Sequence, residues 1–360
     1  MYVSLHSIPG GRKVAGTVLL LGTVSLITDV SAEMVTAVLP LYLVTGLGLS
    51  PLQFGFLDGL YTGVSALTRL VGGHLADRSG RHKLVATVGY AVSALAKLLL
   101  PAAGGAVAGL GAAIAVDRAG KGIRTAPRDA LISLSSDPAD LGRAFGVHRA
   151  MDTAGALAGP LVAFGVLAWT AGSFDAVFVS SFSIAAVGVL FLVMFVPDRP
   201  LPRPVTAATP WTPRFRRMVL TAGLLGLITI GDGFVYLIVS QQANLAPQYF
   251  PLLPLATAAS FLLLAVPMGR LADRVGRWRV FIAGYVLLGV VYLLLATPLA
   301  PLCLLLHGAF YAATDGVLAA AASQILPEPA RARGLAWLTT GQAIGRFGAS
   351  VALGAIWTFA

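Results

Sequence analysis

Apolar residues run along this chain in eleven stretches, at 14–43, 52–75, 84–102, 104–133, 144–170, 174–196, 218–240, 251–269, 280–298, 300–326 and 334–358. A helix of about 20 apolar residues crosses a hydrocarbon core roughly 30 Å thick, and each stretch reaches or approaches that length. The pattern therefore predicts an all-α polytopic membrane protein. The first stretch is too long for a cleaved signal peptide and contains Asp29 and Glu33, so it is expected to stay in the mature protein.

Composition excludes a soluble fold, because 57% of the 360 residues are hydrophobic and 11% are charged, against roughly 25% charged in an ordinary soluble domain. The single cysteine, Cys303, lies within an apolar stretch, which leaves no disulfide framework or thiolate metal site. No two histidines have metal-ligand spacing, so neither metal nor cofactor is expected. Gly120-Lys121-Gly122 lacks the flanking residues of a phosphate loop.

The net charge of +10 would point to nucleic acid in a soluble protein. Here it reports topology instead. Seventeen of the 25 lysines and arginines fall in or beside the N-terminal segment and alternate loops, whereas the loops near 44–51, 171–173, 241–250 and 299 have none. Basic loops stay cytoplasmic. This predicts a multi-pass protein of a bacterial-type cytoplasmic (inner) membrane, with its N-terminus in the cytoplasm and the lipid bilayer, not nucleic acid, as its partner.

Pro197 to Arg217, rich in proline and arginine, divides six stretches from five. It is expected to be a cytoplasmic linker (197–217) between an N-terminal bundle, 1–196, and a C-terminal bundle, 218–360. The bundles look duplicated. Asp29 matches Asp232, Asp77 matches Asp273, and Arg143-Ala144-Phe145-Gly146 matches Arg333-Gly334-Leu335-Ala336, in the same order and at similar offsets. Parallel repeats of this kind place a substrate near the midplane and rock one half against the other.

The loop Gly73-His74-Leu75-Ala76-Asp77-Arg78-Ser79-Gly80-Arg81, repeated as Gly269-Arg270-Leu271-Ala272-Asp273-Arg274-Val275-Gly276-Arg277, resembles the signature of the major facilitator superfamily, Gly-x-Leu-Ala-Asp-Arg-x-Gly-Arg-Arg/Lys. Arg118-Ala119-Gly120-Lys121-Gly122 is similar to that family's Arg-x-x-Gln-Gly pattern, with Lys121 in place of glutamine. Gly155-Ala156-Leu157-Ala158-Gly159-Pro160 is similar to the glycine-proline pattern of the family's exporters, and the segments Thr28–Met34 and Gly120–Asp129 resemble bacterial efflux permeases. The resemblance implies two pseudo-symmetric six-helix bundles, ion-coupled or facilitated transport and no ATP hydrolysis. It also predicts a twelfth span after the eleventh, before which the sequence ends.

In the repeated loop, glycines allow close helix approach and a tight turn, and Asp77 with Arg78 and Arg81, like Asp273 with Arg274 and Arg277, could form a charge lock in one conformation. In span 5, Gly155 and Gly159 would let a neighbouring helix pack closely, and Pro160 would loosen the helix.

A charge at the bilayer centre costs at least ~2.5 to 3.5 kcal/mol, so charged residues within spans are functional candidates. Asp29 and Glu33 lie one turn apart on the stripe Gly22, Ser25, Asp29, Glu33, Thr36 and Pro40. Desolvation and like-charge repulsion would favour the protonated form of one of them, making the pair the proton-coupling candidate. In span 4, Asp117, Lys121, Arg124 and Arg128 share one arc and Arg118, Thr125 and Asp129 an adjoining one; in span 5, His148, Arg149 and Asp152 cluster. These faces are expected to form a polar seam. Arg118, Lys121, Arg124, Arg128 and Arg149 would either bind an anionic substrate group or form a salt-bridge network with Asp152 and the other carboxylates. The second half is poorer, with Asp232, Tyr236, His307, Asp315, Gln342 and Arg346 as its notable polar insertions.

These features predict a monomeric, non-enzymatic secondary transporter that moves a small molecule by alternating access, coupled to protons as an efflux antiporter. Two alternatives remain: an organic-anion or metal-chelate transporter, favoured by the span 4 cations, and a non-transporting membrane sensor or assembly partner.

Overall fold

The computed structural model describes residues 14–137, 140–197, 211–326 and 331–359. Residues 198–210 of the expected linker lie outside the described residues, as do the side chains of Gly73, Asp77 and Arg333. Among the described residues there is no strand. Lipid offers no hydrogen-bond partners, so a spanning backbone must satisfy itself within a helix.

The helices are α1 (Gly16–Leu41), α2 (Pro51–Ser79), α3 (His82–Ala102), α4 (Val107–Leu134), α5 (Leu141–Trp169), α6 (Phe174–Phe195), α7 (Pro213–Gly226), α8 (Asp232–Gln242), α9 (Leu253–Val275), α10 (Arg277–Leu294), α11 (Cys303–Ile325) and α12 (Arg331–Phe359). A π-helical turn, Tyr42–Gly46, prolongs α1. The seventh predicted stretch is two helices, α7 and α8, which is how the twelve helices among the described residues account for eleven stretches. Seven helical segments among the described residues are long and apolar enough to cross a membrane by length and composition alone. In α2, α4 and α12 charged or polar residues dilute the apolar run, and α7 and α8 are short.

The chain forms two compact units. The first comprises Met1–Val35, Leu67–Val162 and Asp175–Pro204. Its core includes Val18, Leu21, Val24, Ala86, Tyr90, Leu131 and Ile132, and glycines bring its helices together. A methyl group at Gly120 of α4 would come within 2.6 Å of the Gly89 carbonyl oxygen of α3, so the two backbones touch. Gly155 and Gly159 of α5 pack on α1 at Leu26 and Val30, with Glu33 Cβ at 2.7 Å from the Gly159 position. Between α1 and α6, Ser31 Oγ donates to the Ser181 carbonyl at 2.6 Å and Ser181 Oγ returns the bond to the Ser31 carbonyl at 2.7 Å.

The second unit comprises Thr36–Ala66, Ala163–Phe174 and Val205–Ala360. Phe215, Ala222, Val280, Phe281, Ala313, Val317 and Leu338 form its core. Gly308 of α11 packs on Thr257 and Ser260 of α9, Gly345 of α12 on Gly223 and Gly226 of α7, and Gly59 of α2 on Phe347 of α12.

Between α7 and α8 the winding tightens, with Leu227, Ile228 and Thr229 N–H bonding three residues back, and then stops. Two backbone groups are freed. The Tyr292 hydroxyl of α10 serves both, accepting from Ile230 N–H at 3.0 Å and donating to the Ile228 carbonyl at 2.9 Å. Replacing Tyr292 with phenylalanine leaves both unsatisfied, at about 1–3 kcal/mol for each buried group. Thermal unfolding in detergent should therefore show a clearly lowered midpoint for Tyr292→Phe; an unchanged midpoint would mean that water or another side chain takes over both bonds.

Candidate functional site

Charged side chains cluster in each unit. In the first, α4 supplies the cations because its charged positions recur every three or four residues and so share a face. Arg124 Nη2 donates to Asp29 Oδ1 of α1 at 3.3 Å, and Lys121 Nζ to Glu33 Oε1 at 3.4 Å. Asp29 and Glu33 thus meet different α4 cations. The Arg124 guanidinium also lies over the Tyr90 ring, 4.1 Å from its centroid, an arrangement that favours a desolvated cation.

Arg128 joins α4 to α5 and α1. Its Nη1 lies 3.5 Å from Asp152 Oδ1 and 3.3 Å from Ser25 Oγ, while Nη2 donates to Asp129 at 2.9 Å. Arg149 adds a second bond to Asp152 at 3.3 Å, but its side chain is 75% exposed. Ser25 Oγ also lies 3.0 Å from His148 Nε2 and 3.4 Å from the Tyr90 hydroxyl. The carboxyl groups of Asp29 and Asp152 are neighbours across α1 and α5.

Arg118 stands apart from Lys121 and Arg124. It pairs with Asp117, which Lys97 of α3 approaches at 3.7 Å and to which Ser93 Oγ donates at 2.6 Å. Asp117, Arg118 and Lys97 are all buried, so this group ties α3 to α4.

In the second unit, Asp232 opens α8. It accepts from the Tyr311 hydroxyl of α11 at 2.6 Å and lies 3.5 Å from His307 Nε2. Arg346 Nη1 of α12 donates to the same tyrosine hydroxyl at 3.4 Å, and His307 stacks on the Tyr311 ring with centroids 5.0 Å apart. Asp58 of α2 accepts from Ser350 Oγ of α12 at 2.7 Å. Three segments distant in sequence thereby meet at the break between α7 and α8.

The duplicated loop lies outside both clusters. Arg277 donates to Asp273 from Nη2 at 3.0 Å and from Nε at 3.2 Å, an exposed pair one turn apart. Gly80 and Gly276 have φ of 65° and 104°, which explains glycine at these turns. A side chain at Gly269 would meet open space, where a cavity of about 170 Å³ is lined by Phe261, Asp273, Arg277 and Gly316. Close helix approach is therefore not what Gly269 provides. Arg78, Arg81 and Arg274 are exposed.

This architecture has many counterparts among transporters of known structure. A mutant of the nucleoside transporter NupG superposes with a TM-score of 0.80 at 15% identity, covering 95% of this chain and 91% of that one. A bacterial homologue of the human lysosomal transporter Spinster, in an inward-facing and occupied conformation, gives 0.74 at 15% identity over 96% and 82% of the two chains. At these identities the likeness is one of fold. The family model of the Major Facilitator Superfamily matches residues 21–350. The chain belongs to the major facilitator superfamily. An uncharacterised MFS-type transporter of Methanocaldococcus jannaschii is 30% identical to this facilitator over 367 residues, covering 96% of this chain and 89% of the relative. A protein of Mycobacterium tuberculosis is 30% identical over 269 residues, 71% of this chain and 65% of that protein. The facilitator is a multi-pass membrane transporter for small molecules and not an enzyme.

The sequence pattern identifies the first cluster's charged residues and the Arg149–Asp152 pair within α5, but not the pairing between helices. It counts Asp58 as an anion within a span without singling it out, and does not mark Tyr311, Ser350 or Tyr292. Asp58 is one turn from Tyr61 and Thr62 on an otherwise mixed face, and nothing local marks it. The one available signal was its depth within a span, which makes any carboxyl a candidate.

Removing one partner of a buried ion pair costs roughly 3–5 kcal/mol. Asp117→Ala, which removes the carboxylate that Lys97 and Arg118 share, should lower the facilitator's unfolding midpoint strongly, whereas Asp273→Ala should change stability by less than about 1 kcal/mol, as for exposed pairs generally. Thermal or denaturant unfolding in detergent compares the two; equal effects would contradict the distinction between the buried pin and the surface pair.

Proposed function

We propose that this facilitator is a proton-coupled secondary transporter that exports a small molecule in exchange for protons by alternating access. The Asp29–Asp152 carboxyl pair carries the reading. The two carboxyls are neighbours on α1 and α5, with Arg124 on Asp29 and with Arg128 and Arg149 on Asp152. Carboxyls on α1 and α5 that exchange one proton between cations can trade it for a bond to those cations, which links protonation to the fit of two helices. Glu33, paired with Lys121 at 3.4 Å and 26% exposed, is an accessory to the pair. Export is supported by the resemblance of Gly155–Pro160 to the glycine-proline pattern of the family's exporters.

The same reading places the N-terminus and basic loops in the cytoplasm of an inner membrane and divides the working monomer into 1–196 and 218–360 about the 197–217 linker. The repeated loops with Asp77 and Asp273 act as conformational locks on the cytoplasmic side. Structural relatives include the nucleoside transporter NupG and the peptide transporter POT.

A second reading, transport of an organic anion, rests on Lys121 and Arg149, whose side chains are 31% and 75% exposed while Arg118 and Arg124 are buried. Neutralising Lys121 should then abolish anion flux and leave proton exchange intact; unchanged anion flux would remove this reading.

Proteoliposomes containing a proton-sensitive dye and challenged with a small-molecule panel test the coupling. Asp29→Asn and Asp152→Asn are each expected to reduce substrate-driven proton movement to background, and Glu33→Gln to reduce it only in part. Normal proton movement in both aspartate variants would refute the assignment.

A further inference from the structure

Asp58 lies two turns into α2 and differs from the carboxylates of the first unit. Asp29, Glu33, Asp117, Asp129 and Asp152 each meet a lysine or arginine, whereas Asp58 forms no ion pair among the described residues. Its one side-chain bond comes from the uncharged Ser350 hydroxyl at 2.7 Å. Asp315 also lacks a cation, but it is exposed. The charged groups facing Asp58 are Asp232 from α8, of like sign, and Arg346 from α12. Arg346 is turned to Tyr311 instead.

The carboxyl presses on the break between α7 and α8. A side chain at Gly231 would overlap Asp58 Oδ2, and one at Gly233 would come within 2.7 Å of Phe54 and 3.4 Å of Asp58 Oδ1. The first N–H groups of α8 point to no bond with Asp58, although the start of a helix can stabilise an anion that they reach. The seam continues along α2 and α12: Gly55 rests on Ser350, Gly59 on Phe347, and Gly354 on Pro51 and Leu52. Glycines thus bring α2 and α12 into backbone contact on either side of Asp58, whose side chain is half-buried.

An ionised carboxylate here would have like charge beside it, no ion pair among the described residues and little water. We propose that Asp58 is a second proton-binding carboxyl, neutral while Ser350 and Gly231 pack against it, and that its ionisation parts α2 from α8 and α12. Separating the seam hydrates the charge more fully, so proton release and separation are linked. This extends the proton-coupled reading to another carboxyl, and the experiment keeps the two apart.

Infrared spectroscopy of the full chain in lipid vesicles reads the C=O stretch of protonated carboxyls without any substrate. At neutral pH the wild type should show a band that Asp58→Asn removes, Ser350→Ala shifts through loss of the hydrogen bond, and Asp29→Asn leaves in place. A spectrum of protonated carboxyls unchanged by both Asp58→Asn and Ser350→Ala overturns the proposal. A band lost only in Asp29→Asn preserves the first coupling pair and also overturns this one. Spin labels at Gln53 and Ile356, in a Cys303→Ser background, then report the seam. Raising the pH should lengthen their separation in the wild type and not in Asp58→Asn; equal lengthening in both would break the link between ionisation and separation.

Discussion

A charged side chain within a lipid-embedded helix must find a counter-charge, a proton or water, and most of this structure is arranged around that requirement. In the first unit the need is met by pairing. The α4 face sends Lys121 and Arg124 to α1 and Arg128 to α5, and holds Asp117 with Arg118 and Lys97 against α3. Four helices are thereby registered by a polar network inside an apolar bundle. Such networks seldom add much stability, because desolvation offsets the attraction, but they penalise every arrangement in which a charge is stranded. That penalty is what a protein with a small number of discrete conformations requires.

Glycines make the pairing geometrically possible. The contact of Gly89 with Gly120 brings α3 and α4 so close that Ser93 and Lys97 reach Asp117. On the other side, Gly155 and Gly159 draw α5 onto α1, where Asp152 meets Asp29. Small residues and buried charges are two parts of one device: the former set the interhelical distance and the latter use it. The second unit applies the same close packing to a different end, with glycines of α2 and α12 packed around a carboxyl that has no ion pair among the described residues.

The eleven apolar stretches, the repeated loop and the charged α4 face were legible in the sequence because each is periodic or local: a span is a run, a face is a recurrence of three or four, and a motif is contiguous. The pairing was not. Asp29 and Glu33 sit one turn apart and invited the reading that they act on each other, yet each faces its own α4 cation, and Asp29 finds Asp152, 123 positions along the sequence. The break in the seventh stretch was hidden for a related reason. Gly226, Thr229 and Gly231 are ordinary residues in spans, and the partner that makes the interruption tolerable, Tyr292, lies on another helix. Local pattern reports what a segment can form alone, and these features exist only between segments.

Tyr292 gives that interruption a mechanical character. One phenol oxygen both receives and gives a hydrogen bond across the gap between Ile228 and Ile230. The two halves of the span are thus held together through a single side-chain atom of α10 rather than through a continuous ladder, which makes the integrity of the break a property of how α10 packs against it.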